Sequence, residues 1–394
     1  MTTNIFVLGL TDLQREELAT VRGAEEYRFH SLLDYTTLVL ETDYDLDALL
    51  DRAREQLDTF EGSVDAIVAH WDFPTSVMAP ILAAERGIPA PSLTSVLKCE
   101  HKYWSRLEQA ECVPEVVPQF SSFDPFGEDV LGQIDMDFPF WVKPVKAHSS
   151  NLGFAIHDED ELADAVDKIR AGISDLGDAF DQALARVELP PELEGAGGNS
   201  CLAEQIVSGI QAAPEGTVFQ GEFHVHGLFD MFKDETGHSI ARLDYPAGTV
   251  PQHVQDRMID VAGRFLRHVG YDNGSFNVEY MWDEETDELW LIEVNTRISQ
   301  SHSDLFAKVD GASNHTVAIN IALGKPPAMP HREGRYAVAA KCAIFHDADG
   351  VVTQVPSAEE IDAVRNRFPQ AEVSVDVEVG DRLSELPHQD SYRY

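Results

Sequence analysis

Positive charge is what this chain has least of. Its 394 residues carry 29 lysines and arginines against 69 aspartates and glutamates, a formal net charge of −40. Such a surface repels phosphate backbones and anionic headgroups, which argues against nucleic acid and membranes as partners. Lysine is the scarcer base, occurring only at 98, 102, 143, 146, 168, 233, 308, 325 and 341. A lysine inside an apolar stretch is therefore informative. The acidity suits a protein working in concentrated salt, where screening relieves self-repulsion, and equally suits an ordinary acidic enzyme. Long apolar runs are missing too: none approaches the roughly 20 residues that cross a bilayer. The opening MTTNIFVLGLTDLQ lacks a basic flank and reads as a first strand rather than a leader. Four cysteines (99, 112, 201, 342) show neither CxxC pairing nor metal-ligand spacing, which fits a reducing cytoplasm.

What is present is enough apolar residue, 43%, for two or three domains with real cores. NIFVLGL (4–10) and VDAIVA (64–69) read as strands. TSVMAPILAAERGI (75–88) reads as a helix ending at a glycine, so the chain opens with a parallel α/β layer. Prolines 114 and 118 mark a boundary. FPFWVKPV (138–145), CLAEQIV (201–207) and GEFHVHGLFDMF (221–232) are further strands, with acidic helices across 158–187. The tail from about 331 is expected to give strand, strand, helix and strand: YAVAAKCAIF, GVVTQV, SAEEIDAVRNRF and AEVSVDVEV.

The sharpest pattern is WLIEVNTRISQSH at 290–302. Side chains alternate on a strand, so Glu293, Asn295 and Arg297 are expected on one face, with Trp290, Ile292 and Val294 packing as core on the other. Two oxygen ligands beside a fixed cation suit a metal with phosphate bound to it; the alternative is a solvated strand face. GSFNVEYMW (274–282) folds back on this strand around Thr286, setting Glu279 opposite Glu293 and Asn277 opposite Asn295. Facing carboxylates repel unless a cation sits between them, and Mg²⁺ takes such a pair while leaving positions for phosphate oxygens.

An E-x-N-x-R strand end with a glutamate on its partner resembles the ATP-grasp superfamily, which includes biotin carboxylase and the L-amino-acid ligases. The resemblance covers most of the chain. It implies an α/β and α+β ATP-grasp fold with a Rossmann-like N-terminal domain (1–112) and a small subdomain with the phosphate loop and hinge (113–207). A large subdomain (208–330) and a small C-terminal lobe (331–394) would follow. It implies ATP with two Mg²⁺, or Mn²⁺ in their place, held by Glu279, Glu293 and Asn295. Lys102, in EHKYWSRLEQAECVPEVVP, and Lys143, in the apolar strand FWVKPV, would take phosphates, with His148, Ser149, Ser150 and Gly153 in the loop over them. The backbone of Glu204, Gln205, Ile206 and Val207 would read adenine, and Gln211 would bond the ribose. Two features depart from the pattern: the loop KAHSSNLG has a single glycine, and Gln211 stands where several ligases have glutamate.

The implied reaction joins a small carboxylate to an amine through an acyl phosphate, giving ADP and phosphate. Arg297 would steady the developing charge, and Ser301 would face the acceptor. His302 is either a general base for the amine or a structural histidine. Ser301 occupies the position of biotin carboxylase's catalytic glutamate, which disfavours a biotin carboxylase-like carboxylase. A non-catalytic ATP-binding sensor is the remaining alternative, and a homodimer is expected only by analogy.

Overall fold

The computed structural model describes residues 2–41, 44–147, 151–234, 239–346 and 348–386. The chain begins with a three-stranded parallel sheet of β1 (Thr3–Leu8), β2 (Tyr27–Leu32) and β3 (Ala66–Ala69), in the order β2-β1-β3. Helices α1 (Asp12–Leu18), α2 (Leu46–Asp58) and α3 (Thr75–Arg86) accompany it. The expected α/β opening is present, but β2 was hidden in the sequence because Arg28, His30 and Ser31 blur its apolar pattern. Helix α3 stops where Gly87 takes a left-handed φ of 66°, at the cap where a glycine costs least. Two further helices, α4 (Leu93–Glu100) and α5 (Lys102–Cys112), lead out of this layer. Ser92 caps the first and His101 the second, each accepting an otherwise orphaned backbone N–H.

A four-stranded antiparallel sheet follows: β4 (Phe120–Phe123), β5 (Phe140–Pro144), β6 (Phe154–Ile156) and β7 (Cys201–Gln205), ordered β4-β7-β5-β6. Along β5, Phe140, Val142 and Pro144 are buried, so Trp141 and Lys143 share the opposite, partly open face. Helices α6 (Glu159–Gly172) and α7 (Ser174–Leu184) accompany this sheet. The third layer has β8 (Ile210–Phe219), β9 (Glu222–Lys233), β10 (Ile240–Tyr245), β11 (Gly274–Trp282), β12 (Leu289–Asn295) and β13 (Ala339–Cys342), ordered β12-β11-β8-β9-β10-β13. Helix α8 (Gln252–His268) packs against it through Val254, Met258, Val261, Phe265 and Leu266, an i, i+4, i+7 stripe. Helices α9 (Gln300–Asp310) and α10 (Asn314–Ala322) follow the E-x-N-x-R strand. The largest core cluster runs from the first layer to the third, joining Phe6 and Leu82 to Phe265 and Leu291.

Two expectations fail here. The strand expected over 201–207 stops short: β7 ends at Gln205, and β8 starts only at Ile210. Between them Gly209, at φ 137°, lies so close to the Trp282 carbonyl that a Cβ would come within 2.3 Å of it. Among the described residues of the tail, β13, the helix α11 (Ala358–Arg367), a 3₁₀ turn at Leu383–Glu385 and an isolated bridge between Val351 and Arg382 form. AEVSVDVEV has strand alternation without a ladder, and Val375 and Val379 are exposed. Periodicity supplies faces, while a strand also needs an edge to bond.

Candidate active site

The hairpin of β11 and β12 pairs Asn277 with Asn295, Val278 with Val294 and Glu279 with Glu293, the register expected from the sequence. Beyond Glu279 the register slips: Tyr280 opposes Leu291, leaving Ile292 as an extra residue. This bulge corrects the expected core. Leu289 and Leu291 are buried and Trp290 and Ile292 are not, whereas Val294 is buried as expected. Without the bulge, Glu293 would share a face with Leu291; with it, the carboxylate turns toward Glu279.

Glu279 accepts from Asn295 Nδ2 at 3.3 Å and from Gln211 Nε2 at 2.9 Å. Burial and then the Glu293 charge push the Glu279 carboxyl up to about 7, against the pull of Arg297. Burial opposes ionisation of Glu293 as well, but the Lys102 ammonium outweighs it and holds Glu293 below the usual carboxylate range. The two acids are thus shifted in opposite directions, Glu279 up and Glu293 down. Gln211, expected at the ribose end of the hinge, lies on β8 opposite Met281, where its amide donates to Glu279. Buried polar atoms without partners gather here: Gln211 Oε1 and Asn277 Nδ2.

Lys102 opens α5, 2.8 Å from Glu293 Oε1, and donates to the Ala147 carbonyl at 2.7 Å. It therefore joins the acid pair to the loop containing His148, Ser149 and Ser150, three expected phosphate contacts that lie outside the described residues. Gly153, after that loop, is partly buried just before β6. Lys143 pairs with Glu204, which also accepts from Arg106 Nε at 3.1 Å and Nη2 at 2.9 Å. Burial lowers the Lys143 pKa, with the Glu204 charge opposing it. Burial raises the Glu204 pKa, but Lys143 and Arg106 together bring it down to about 2.

The adenine-reading stretch is only partly available. The Glu204 side chain is committed to cations, and Gln205 gives its backbone N–H to the Gln119 carbonyl at 2.9 Å. Ile206 is 39% exposed and Val207 half-buried, beyond the end of β7, so a base edge would be met from there.

Arg297, following β12, donates from Nη2 to Asp72 at 2.5 Å. Burial disfavours its charge, but Asp72 and further acids raise its pKa. Ser301 lies in the first turn of α9, partly buried. His302 is corrected: it is 1% exposed, stacked on Phe229 at 3.6 Å between ring centroids, with Nδ1 2.6 Å from Glu215 Oε2. A base must reach the incoming amine, and this ring is sealed beneath the sheet. Its contacts tie α9 to β8 and β9.

Three contributors went unseen in the sequence. Arg106 gives Nη1 to the Leu291 carbonyl at 2.7 Å and Nη2 to that of Ile292 at 3.1 Å, holding the bulge that aims Glu293. The signal was available: Arg106 lies one helical turn after Lys102, on the same face. Glu100 accepts from Lys146 at 2.7 Å, Ser76 at 3.0 Å and Thr296 at 2.7 Å, tying the first layer and the end of β5 to the residue between Asn295 and Arg297. Asp72 follows β3 at the carboxyl end of a parallel strand, where open α/β sheets place ligand contacts.

Residues 230–328 match the family model described as the carbamoyl-phosphate synthase L chain, ATP binding domain. The carbamoyl phosphate synthase large chain of Arthrobacter sp. (strain FB24) is 32% identical over 96 residues, 24% of this chain and 8% of that protein, so the chain matches only a small part of this relative's length. Among solved structures, L-amino acid ligase from Bacillus licheniformis superposes with a TM-score of 0.70 at 16% identity, covering 97% of this chain and 89% of that one. Biotin carboxylase from Campylobacter jejuni gives 0.59 at 15% identity, covering 91% and 81%. These superpositions show that the chain has the ATP-grasp fold, with residues 230–328 similar to the ATP-binding domain of the carbamoyl-phosphate synthase L chain.

Proposed function

We propose that the protein is an ATP-dependent carboxylate–amine ligase of the amino-acid type, working through an acyl phosphate and releasing ADP and phosphate. One observation carries the reading: Glu279 and Glu293 face each other in register, and the Lys102 ammonium lies against one of them. The donor set fits magnesium. It offers two carboxylates, an amide oxygen from Asn295 once Nδ2 turns to Glu279, and a carboxyl at about 7 that a divalent charge would ionise. Glu279, Glu293 and Asn295 would hold the ions, which when bound neutralise phosphate oxygens.

The chain's own groups do the rest by position and charge. Lys102 and Lys143, now resting on Glu293 and Glu204, are cations held ready for the nucleotide's phosphates. Arg297 receives the reacting carboxylate and steadies the charge that builds up on it. The attacked γ-phosphoryl group passes to the carboxylate oxygen; the amine then attacks the acyl carbon as the C–O bond to phosphate breaks. Ser301, in the first turn of α9, would face the acceptor.

Magnesium-dependent ADP release from ATP, screened over pairs of amino acids with the product weighed by mass spectrometry, tests this. A condensed product supports the reading. ADP release dependent on bicarbonate and biotin would instead select the carboxylase, and nucleotide binding without turnover under any pair would select the sensor.

A further inference from the structure

Lysine is scarce in this chain, yet Lys146 is placed where little water reaches it. It follows β5, and its side chain is 5% exposed with the ammonium 2.7 Å from Glu100 Oε2. The ring centroids of Phe73, just before α3, and Phe180, on α7, each lie 5.6 Å from that ammonium. A buried ammonium is held only by a well-placed partner, and a buried carboxylate likewise.

The residues on either side of Lys146 grip the junction of α4 and α5. The Lys102 backbone N–H donates to the Val145 carbonyl at 2.9 Å, and the Lys102 ammonium donates to the Ala147 carbonyl at 2.7 Å. From between those two carbonyls, Lys146 reaches back to Glu100, two residues before Lys102. Residues 100–102 and 145–147 therefore form a clasp. Both outward contacts of the clasp fall on the E-x-N-x-R stretch. Lys102 lies 2.8 Å from Glu293 Oε1, and Glu100 Oε1 accepts from Thr296 Oγ1 at 2.7 Å. Glu293 and Thr296 stand on either side of Asn295, so the stretch that would hold magnesium is fixed at two points by one device. Without Lys146, Glu100 would be a buried anion facing the neutral hydroxyls of Ser76 and Thr296. Arg297 already feels its charge, after that of Asp72, and would be drawn toward it.

We propose that Lys146 is a positioning residue for the magnesium–nucleotide site: it closes the clasp that sets Lys102 on Glu293 and Thr296 beside Asn295, without touching the nucleotide itself. This rests on reading the site as one for magnesium and nucleotide, and it is tested without the acid or the amine.

Calorimetry with MgADP on the full chain reads the clasp. Lys146→Met keeps an apolar stem and removes the ammonium; it should weaken MgADP by about 10- to 100-fold. Adding Glu100→Gln removes the stranded anion, and the double variant should return to within about fivefold of wild type, because breaking a buried pair costs more than replacing both members. A lysine that bound phosphate directly would leave the double variant as weak as the single one, and the assignment would fall. Unchanged MgADP affinity in Lys146→Met, with only the melting temperature lowered, would likewise overturn it. If Lys146→Met does not fold by circular dichroism, the double variant decides alone: affinity within about fivefold of wild type supports the clasp, and a greater loss overturns it. ADP release from MgATP in a mixture of the proteinogenic amino acids, measured alongside, separates the two readings. The expected pattern of MgADP binding without any ADP release would keep the clasp and sink the ligase. A wild type that binds no MgADP would sink both.

Discussion

Two buried acids on one sheet meet opposite fates. Glu215, on β8, gives one oxygen to Asn314 Nδ2 at 2.7 Å and the other to His302 and the Ser299 N–H, beneath Phe229. Glu279, on the adjoining strand β11, faces another carboxylate, has amides as its donors among the described residues, and stands beside orphaned amide atoms. The first constellation is complete, and completeness holds α9 in place. The second is left short of positive charge, which costs stability in the isolated protein and is tolerable where a cation arrives with substrate. Saturation marks the structural site and deficit marks the working one.

Exchanging charge for an amide breaks the contrast most sharply. Glu293→Gln should reduce magnesium-dependent ADP release by about a thousandfold or more, since the metal pair and the Lys102 contact are lost together. The protein should stay folded by circular dichroism; an active variant would remove Glu293 from the site.

Arg106→Lys comes next. A lysine cannot fork between Glu204 and two bulge carbonyls, so turnover should fall by about 10- to 100-fold although Arg106 does not reach Glu279. A shifted magnesium titration, read by ADP release, separates misplacement of Glu293 from simple unfolding.

The pH profile sharpens the comparison further. Magnesium needs Glu279 ionised, so affinity should weaken about tenfold per unit as pH falls below about 7, by calorimetry with ADP present. Stability runs the other way. A carboxyl raised from 4.5 to about 7 favours the folded state fully below 4.5, and that contribution is lost as pH rises through about 7. Nucleotide-free Glu279→Gln should therefore melt higher than wild type at pH 8 while being inactive; equal melting temperatures would mean that the acid pair carries no strain.

The smallest catalytic effect is expected at the saturated site. His302→Asn should keep kcat within about threefold while costing about 2–4 kcal/mol of stability, through the lost Glu215 bond and the space left under Phe229. A large fall in kcat with unchanged folding would return His302 to the chemistry.

The cross-strand register was legible because like residues repeat with the same spacing on both strands, Asn277 and Glu279 against Asn295 and Glu293. The phase of the core was not, since one extra residue at Ile292 inverts alternation and no residue type announces a bulge. Lys143 was legible as a cation in an apolar strand, whereas Glu204, its partner, is 61 positions away and was read as backbone only. Asp72 and Glu100 were invisible for the same reason: their importance comes from contacts made across 225 and 196 positions. His302 misled because its motif neighbours are polar, and stacking on Phe229 depends on a strand far upstream.

Arg106 bonds at once to Glu204 on the four-stranded sheet and to the bulge on the six-stranded one. Fastened there, the two sheets resemble the boards of a book sewn along its spine. Sliding of one sheet past the other would break those bonds, whereas a hinge at Arg106 would keep them. With Arg106 bonded to both, the spacing between Lys143, on Glu204, and Glu293, beside the bulge, is set by a single side chain.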